Sequence, residues 1–281
     1  MCGLQPVERA SQHLYLRASG SHHHVFELLK GSAGLHQVSF QLNDDEDIEC
    51  CADILEMQGI RITLGPEKEV EPGIGWTLRF LDPEGNSIEL VSGVEELRSG
   101  YETKAINPSS LNHVVLYAGD LRKEQSFYEH VLGMRVTDTV PHLITFLRCN
   151  QNHHSFGFIA LPRRGLQHAA FDLPSRAELS DLMVHMGDAG IRRVDGPGRH
   201  GPGHMLFTYF EDVEKNLLEW NTEIQQIDEA THQPSAWDPE PALNLWRAPG
   251  HMGPPRGFRW LLRTPSNFEA VEIPLSDPDQ A

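Results

Sequence analysis

The sequence predicts an α+β protein in two domains, each assembled from repeated units in which a strand is followed by a helix and further strands. Three observations predict it. The chain is duplicated: YLRASGSHHH from Tyr15 matches FLRCNQNHHS from Phe146, LHQVSFQL from Leu35 matches LQHAAFDL from Leu166, and GIRITLGP from Gly59 matches GIRRVDGP from Gly190, each pair 131 positions apart (146 − 15, 166 − 35, 190 − 59). Both copies alternate apolar and polar residues in VSFQL or AAFDL and in SIELV or LLEWN, the period of a strand. Between those runs lie helical stretches, ECCADILEMQG in the first copy and AELSDLMVHMGDAG in the second.

Taken in order, residues 1–100 form the first domain, with apolar runs HLYLRA and HHHVFELL, the strand VSFQL, the helix ECCADILEMQG and a closing strand SIELV. RFLDPEGNSIELV (79–91) aligns with YFEDVEKNLLEWN (209–221) after a one-residue shift, which sets Glu89 opposite Glu219. SGYETKAINPSS, polar and containing Pro108, is the linker. The second domain, 109–228, opens with a unit of its own, HVVLYA as strand and LRKEQSFYEHVLG as an amphipathic helix offering Phe127, Tyr128, Val131 and Leu132 to a core. Subtracting 131 from His113 gives −18, so the first copy lacks this opening unit and its sheet is expected to have an uncovered edge. The favoured expectation is a natural polypeptide that starts upstream; the alternative is a partner subunit or the C-terminal arm covering the gap. That arm, residues 229–281, is rich in proline and carries Trp237, Trp246 and Trp260, so it reads as an extended segment anchored by aromatic rings with a solvated end beyond about Thr264.

Composition limits the function classes. With 39% hydrophobic and 22% charged residues the chain resembles an ordinary globular protein, and no run approaches the ~18 apolar residues of a membrane span. MCGLQPVERASQ has no basic segment followed by an apolar one, so a cytoplasmic location is expected. A net charge of −17 repels phosphate backbones, which argues for a small-molecule partner over nucleic acid. Cys2, Cys50, Cys51 and Cys149 show no CxxC spacing and read as reduced thiols. A homo-oligomer is expected.

The motifs LNHVVL, CNQNHH, LQHAAFDL, GRHGPGHMLFTYF and LLEWN together resemble the vicinal oxygen chelate superfamily, and within it the two-domain type I extradiol catechol dioxygenases, over residues 13–228. The resemblance implies paired βαβββ modules forming an open cup, with metal held in the second domain alone. It makes His113, His168 and Glu219 the metal ligands, two imidazoles and a carboxylate on separate strands, which suits non-haem Fe(II) and also Mn(II). A single histidine among apolar neighbours is more simply a hydrogen-bonded core residue. The duplicate argues otherwise, because the first copy has Gln37 where the second has His168, so the strand does not need histidine to fold.

By the same resemblance His154 handles the catechol proton, His200 bonds a substrate hydroxyl, and Tyr209, nine residues on, stands beside the bound catecholate. His153 is expected on the opposite face from His154 if the segment is a strand. His204 is either a contact behind the site or a surface residue. Where relatives often carry TND after the GRH, this chain has GPG (201–203), so an asparagine contact to substrate is missing. The implied function is ring cleavage of a catechol by dioxygen, beside one hydroxylated carbon, in aromatic compound degradation. Two other readings share the fold: a glyoxalase-like isomerase or transferase that needs metal but no oxygen, and a small-molecule-binding module that needs neither. His154, His200 and Tyr209 favour the dioxygenase.

Overall fold

The structure, a computed structural model, describes residues 3–247; Trp260 and the segment beyond Thr264 lie outside the described residues. The first copy contains β1 (Gln5–Ala10), β2 (His13–Arg17), β3 (Phe26–Leu29), β4 (Val38–Gln41), α1 (Glu46–Met57), β5 (Ile62–Lys68), β6 (Trp76–Leu81) and β7 (Ser87–Ser92). The second begins with β8 (Ser110–Ala118) and α2 (Leu121–His130), then runs through β9 (Arg135–Val140), β10 (Ile144–Arg148) and β11 (Phe156–Ala160). It continues with β12 (Leu166–Asp172), α3 (Arg176–Asp188), β13 (Arg193–Arg199), β14 (Leu206–Glu211) and β15 (Leu217–Thr222). After these come β16 (Ser235–Ala236), α4 (Pro239–Leu243) and β17 (Trp246–Arg247).

The helices start where local chemistry starts them. The Asp120 carboxylate accepts from the Arg122 and Lys123 amides, and the Ser175 hydroxyl accepts from the Glu178 amide, satisfying N–H groups that a first helical turn leaves unpaired. Helix α3 buries Leu179, Leu182 and Met186, and α1 buries Ile48, Ala52 and Leu55, spacings that keep each apolar set on one face. Of the residues of this unit expected in the core, Tyr128 is fully buried while Phe127, and Val131 and Leu132 just after α2, pack partly buried against the same core.

The tandem pattern emerges in full in the sheets. In the second copy the strand order is β16-β9-β10-β11-β8-β12-β15-β14-β13-β17, with β8 between two halves, parallel to β11 and antiparallel to β12. The first copy repeats the halves as β1-β2-β3 and β4-β7-β6-β5. Among the described residues no strand of the first copy corresponds to β8 and no helix to α2, and β3 and β4 belong to separate sheets. Each half-copy finds cover across the duplication. Phe40 meets Phe156 with ring centroids 5.4 Å apart, and Phe26 meets Phe171 at 5.5 Å, so HHHVFELL is partly covered by the second copy. No helix among the described residues is long and apolar enough to cross a membrane.

Helix α2 carries a buried acid, Glu124. Burial first, and then the carboxyls of Asp82 and Glu84, push it up to about 8. Glu124 is therefore neutral in the fold and ionised in the unfolded chain above about pH 4.5. Between those values the unfolded state binds fewer protons. Its contribution to stability is complete below about pH 4.5 and is lost as pH rises through about 8. Glu124→Gln removes that titration and is expected to melt several degrees above the parent at pH 8, the difference closing at pH 4.5. Thermal melts at both pH values check this; a difference that does not change with pH would refute it.

Candidate metal centre

Three strands that are far apart in sequence and adjacent in the sheet carry the three candidate ligands. β12 pairs with β8 on one side and β15 on the other, which brings His113, His168 and Glu219 together, all buried, with ligand atoms within 4.8 Å of one another. His113 Nε2 lies 3.0 Å from His168 Nε2. The same two nitrogens lie 3.5 and 3.2 Å from Glu219 Oε2.

The surrounding hydrogen bonds define what these atoms offer. His113 Nδ1 donates to Asn112 Oδ1 at 2.7 Å, and His168 Nδ1 donates to Gln167 Oε1. With the Nδ1 protons committed, both Nε2 lone pairs face the carboxylate, and neither Glu219 oxygen has a hydrogen-bond partner among the described residues. Burial holds the His168 imidazole below its usual range, which keeps it neutral with its lone pair free. Two imidazole nitrogens and a carboxylate without a hydrogen-bond partner, buried and converging, form a donor set that a divalent cation satisfies.

The first copy supplies the control. Its Glu89, 130 positions before Glu219 (219 − 130 = 89), is equally buried but accepts from Arg79 Nε at 2.7 Å, from Gln37 Nε2 at 3.0 Å and from the Ser39 hydroxyl. Arg79, which also pairs with Glu71, stands where the second copy has Tyr209 (79 + 130 = 209). One fold thus neutralises the same buried carboxylate with a guanidinium in one copy and presents it to two imidazoles in the other.

His154 lies beside the cluster, its ring centroid 4.4 Å from that of His113. His153 differs from expectation. It sits with His154 in the loop between β10 and β11, where strand alternation does not apply, and both histidines are buried with Nδ1 atoms 3.0 Å apart. On its other side His153 Nε2 donates to Asp138 Oδ2 at 3.0 Å, and Trp237 Nε1 donates to the same oxygen at 2.7 Å. Burial holds both histidines below their usual range, well below for His154, so each carries one proton. With the His153 proton on Nε2, His154 Nδ1 donates to His153 Nδ1. His154 Nε2 is left as an unprotonated acceptor.

His200 and Tyr209 pair with each other. The His200 Nδ1 proton goes to the Leu243 carbonyl at 2.5 Å, so Nε2 accepts from the Tyr209 hydroxyl at 3.2 Å. Burial pushes His200 down to about 4 and keeps it neutral, and its ring stacks on Phe207 with centroids 3.7 Å apart. His204 is exposed, the surface alternative.

The arm closes the site. β16 pairs with β9 and β17 with β13, adding a short strand at each edge of the sheet, and α4 between them sets Ala242 and Leu243 against a cavity of about 40 Å3 walled also by His113, His154, His168, His200 and Tyr209. This explains GPG at 201–203. A side chain on Gly201 would lie 2.5 Å from the Pro241 carbonyl oxygen and 2.6 Å from the Trp237 ring, so the threonine of relatives would collide with the arm. Asp138, Asn112 and Gln167 were missed in the sequence; for the last two the signal was an amide residue directly before each candidate ligand histidine.

The sequence pattern of the Glyoxalase/Bleomycin resistance protein/Dioxygenase superfamily matches residues 3–90 and 110–220. Among individual proteins, metapyrocatechase 2 of Cupriavidus necator is 25% identical over 68% of this chain and 66% of its own length. The 3-methylcatechol 2,3-dioxygenase of Pseudomonas putida is 27% identical over 60% of this chain and 64% of its own. The chain thus spans slightly under two thirds of these relatives. An iron-dependent extradiol dioxygenase from Rhodococcus jostii (25% identical, 63% of this chain and 66% of its own) and a manganese-dependent 2,3-dihydroxybiphenyl 1,2-dioxygenase from Geobacillus genomosp. 3 (23%, 75% and 74%) also match. A Mn(II)-bound glyoxalase from Novosphingobium aromaticivorans superposes with a TM-score of 0.83 at 26% identity, covering 90% of this chain and 84% of that one.

Proposed function

The chain belongs to the Glyoxalase/Bleomycin resistance protein/Dioxygenase superfamily, and on that footing we propose that it is an extradiol dioxygenase that cleaves a catechol beside one of its hydroxylated carbons. The observation that carries the reading is the buried set of His113, His168 and Glu219 with His154, His200 and Tyr209 around one cavity. Relatives named as catechol and biphenyldiol dioxygenases, iron-dependent and manganese-dependent among them, support the substrate class and the metal.

In this reading His113, His168 and Glu219 hold Fe(II) or Mn(II), which supplies sites for the catechol oxygens and dioxygen and a route for electrons between them. The remaining work falls to the chain. His154 Nε2, bare because its Nδ1 proton is given to His153, takes the catechol proton, and Asp138 fixes the tautomer from behind. Tyr209, held by His200, orients a substrate oxygen. Val115, Ile144, Phe146 and Ile159, with Ala242 and Leu243 of the arm, exclude water from the reacting groups. Tyr209→Phe removes one hydroxyl and is expected to lower kcat about tenfold, the scale of a single net hydrogen bond; steady-state kinetics check this.

The test is oxygen consumption by Fe(II)-loaded protein with catechol, 3-methylcatechol and 2,3-dihydroxybiphenyl, followed by the absorbance of the ring-opened product. Loaded protein that consumes no oxygen with any of them removes the proposal. The likeness to a Mn(II)-bound glyoxalase favours one second reading, a metal-dependent isomerase. Turnover of a glutathione hemithioacetal under anaerobic conditions would select it.

A further inference from the structure

We propose that the first copy binds a small carboxylate in a cavity beside Arg17, separate from the metal centre. The cavity, about 350 Å3 and open to solvent, is walled by Arg17, Ser19, Ser21, Arg98, Ser99 and Tyr101 along with backbone, a size within the range of ligand sites. Arg17 projects from β2 and is only 5% exposed. Its guanidinium donates to backbone carbonyls, Nη1 to Ser99 at 2.9 Å and Nη2 to Gly20 at 3.2 Å and Leu97 at 3.0 Å. Nε has no hydrogen-bond partner, and among the described residues no carboxylate pairs with the group. A buried arginine ordinarily sits against an anion, because carbonyl dipoles offset its charge only in part.

The duplication shows which anion belongs there. Arg148, 131 positions on, is the counterpart (17 + 131 = 148), and it is partnered in full. Its Nε and Nη2 donate to the two Glu229 oxygens, each at 2.9 Å, while Nη1 donates to the Val136 carbonyl and the Thr137 hydroxyl. The residue 130 positions before Glu229 is Ser99 (229 − 130 = 99), which brings a hydroxyl and no charge. The first copy therefore keeps the arginine and lacks its carboxylate, and a cavity lies at the same place. The other arginine of the wall, Arg98, is largely exposed and pairs with Glu96 at 3.4 Å, so Arg17 supplies the uncompensated charge. A ligand carboxylate in the cavity would meet the charge of the guanidinium and the serine hydroxyls of the wall, the Nη2 protons being already given to the Gly20 and Leu97 carbonyls, and the Tyr101 ring, 5.8 Å from the guanidinium carbon, suits an apolar or aromatic body.

The experiment is isothermal titration of the metal-loaded full chain with benzoate, its neutral isostere benzamide, and inorganic phosphate. Benzoate is expected to bind once per chain, more weakly as salt rises, and benzamide not at all. Ser99→Glu installs the carboxylate that the second copy carries and is expected to weaken benzoate at least ~10-fold, the scale of a hydrogen-bonded charge pair, without lowering Tm. Because that variant fills the cavity and leaves Arg17 in place, it separates binding from folding. Benzoate affinity equal in parent and Ser99→Glu would overturn the proposal, since the ligand would then be elsewhere, the metal centre included. No benzoate binding to the parent, or binding of phosphate in its place, would overturn it too.

Discussion

His168→Gln will fold as the parent does and will retain almost no iron, falling from about one ion per chain to near zero after desalting. The first copy justifies the choice of glutamine, because Gln37 occupies the matching position there, directly before β4, and bonds the buried Glu89 at 3.0 Å. In the second copy the same amide would face Glu219 and satisfy it as a donor, removing both a ligand and the local need for a cation. His113→Ala and Glu219→Ala are expected to lose iron equally, since two remaining ligands no longer make the facial set. Elemental analysis alongside circular dichroism checks the result, and undiminished iron in folded His168→Gln would show that the ion is held elsewhere. Iron-loaded parent is also expected to melt above chelator-treated parent, by the linkage that any ligand of the native state produces.

His154→Ala will keep its iron and lose most of its turnover, by about 10²- to 10⁴-fold, the range for removal of a general acid or base. Its ring stands 4.4 Å from that of His113 without belonging to the ligand set, so metal content and rate should part company. Asp138→Asn tests the same chain from behind. The amide presents either an oxygen or an N–H to His153 Nε2, so the fixed tautomer is lost, and a smaller fall in kcat with little change in KM is expected. Wild-type kcat in His154→Ala at saturating catechol would remove that residue from the chemistry.

Much of this was legible in the sequence because the chain carries its own comparison. Subtracting one copy from the other isolated His168 against Gln37 and showed that the first copy has no counterpart of the opening unit, while the division of its strands into two sheets emerged only in the structure. The opposite-face placement of His153 held only for a strand, and these residues form a loop, where backbone turns bring neighbouring rings together. Gly201 was visible as a departure from the TND pattern, but its reason was not, since the Trp237 ring it accommodates comes from 36 positions later (237 − 201). Asp138 gave no signal either. An acid on β9 becomes part of a proton chain only when the loop after β10 and the arm fold against it.

The arginine that neutralises Glu89 has a consequence for how the molecule fares in a changing medium. A guanidinium is a cation on a tether: it cannot be chelated, oxidised or exchanged, and it is synthesised with the chain. The proposed ion opposite Glu219 has none of those guarantees and depends on supply. Scarcity or oxidative loss of iron would then fall on one copy alone, silencing the reaction while the first copy, with its electrostatics built in, holds its half of the architecture ready for reloading. On the proposed reading, duplication would in this way separate the part of the protein that must last from the part that must be replenished.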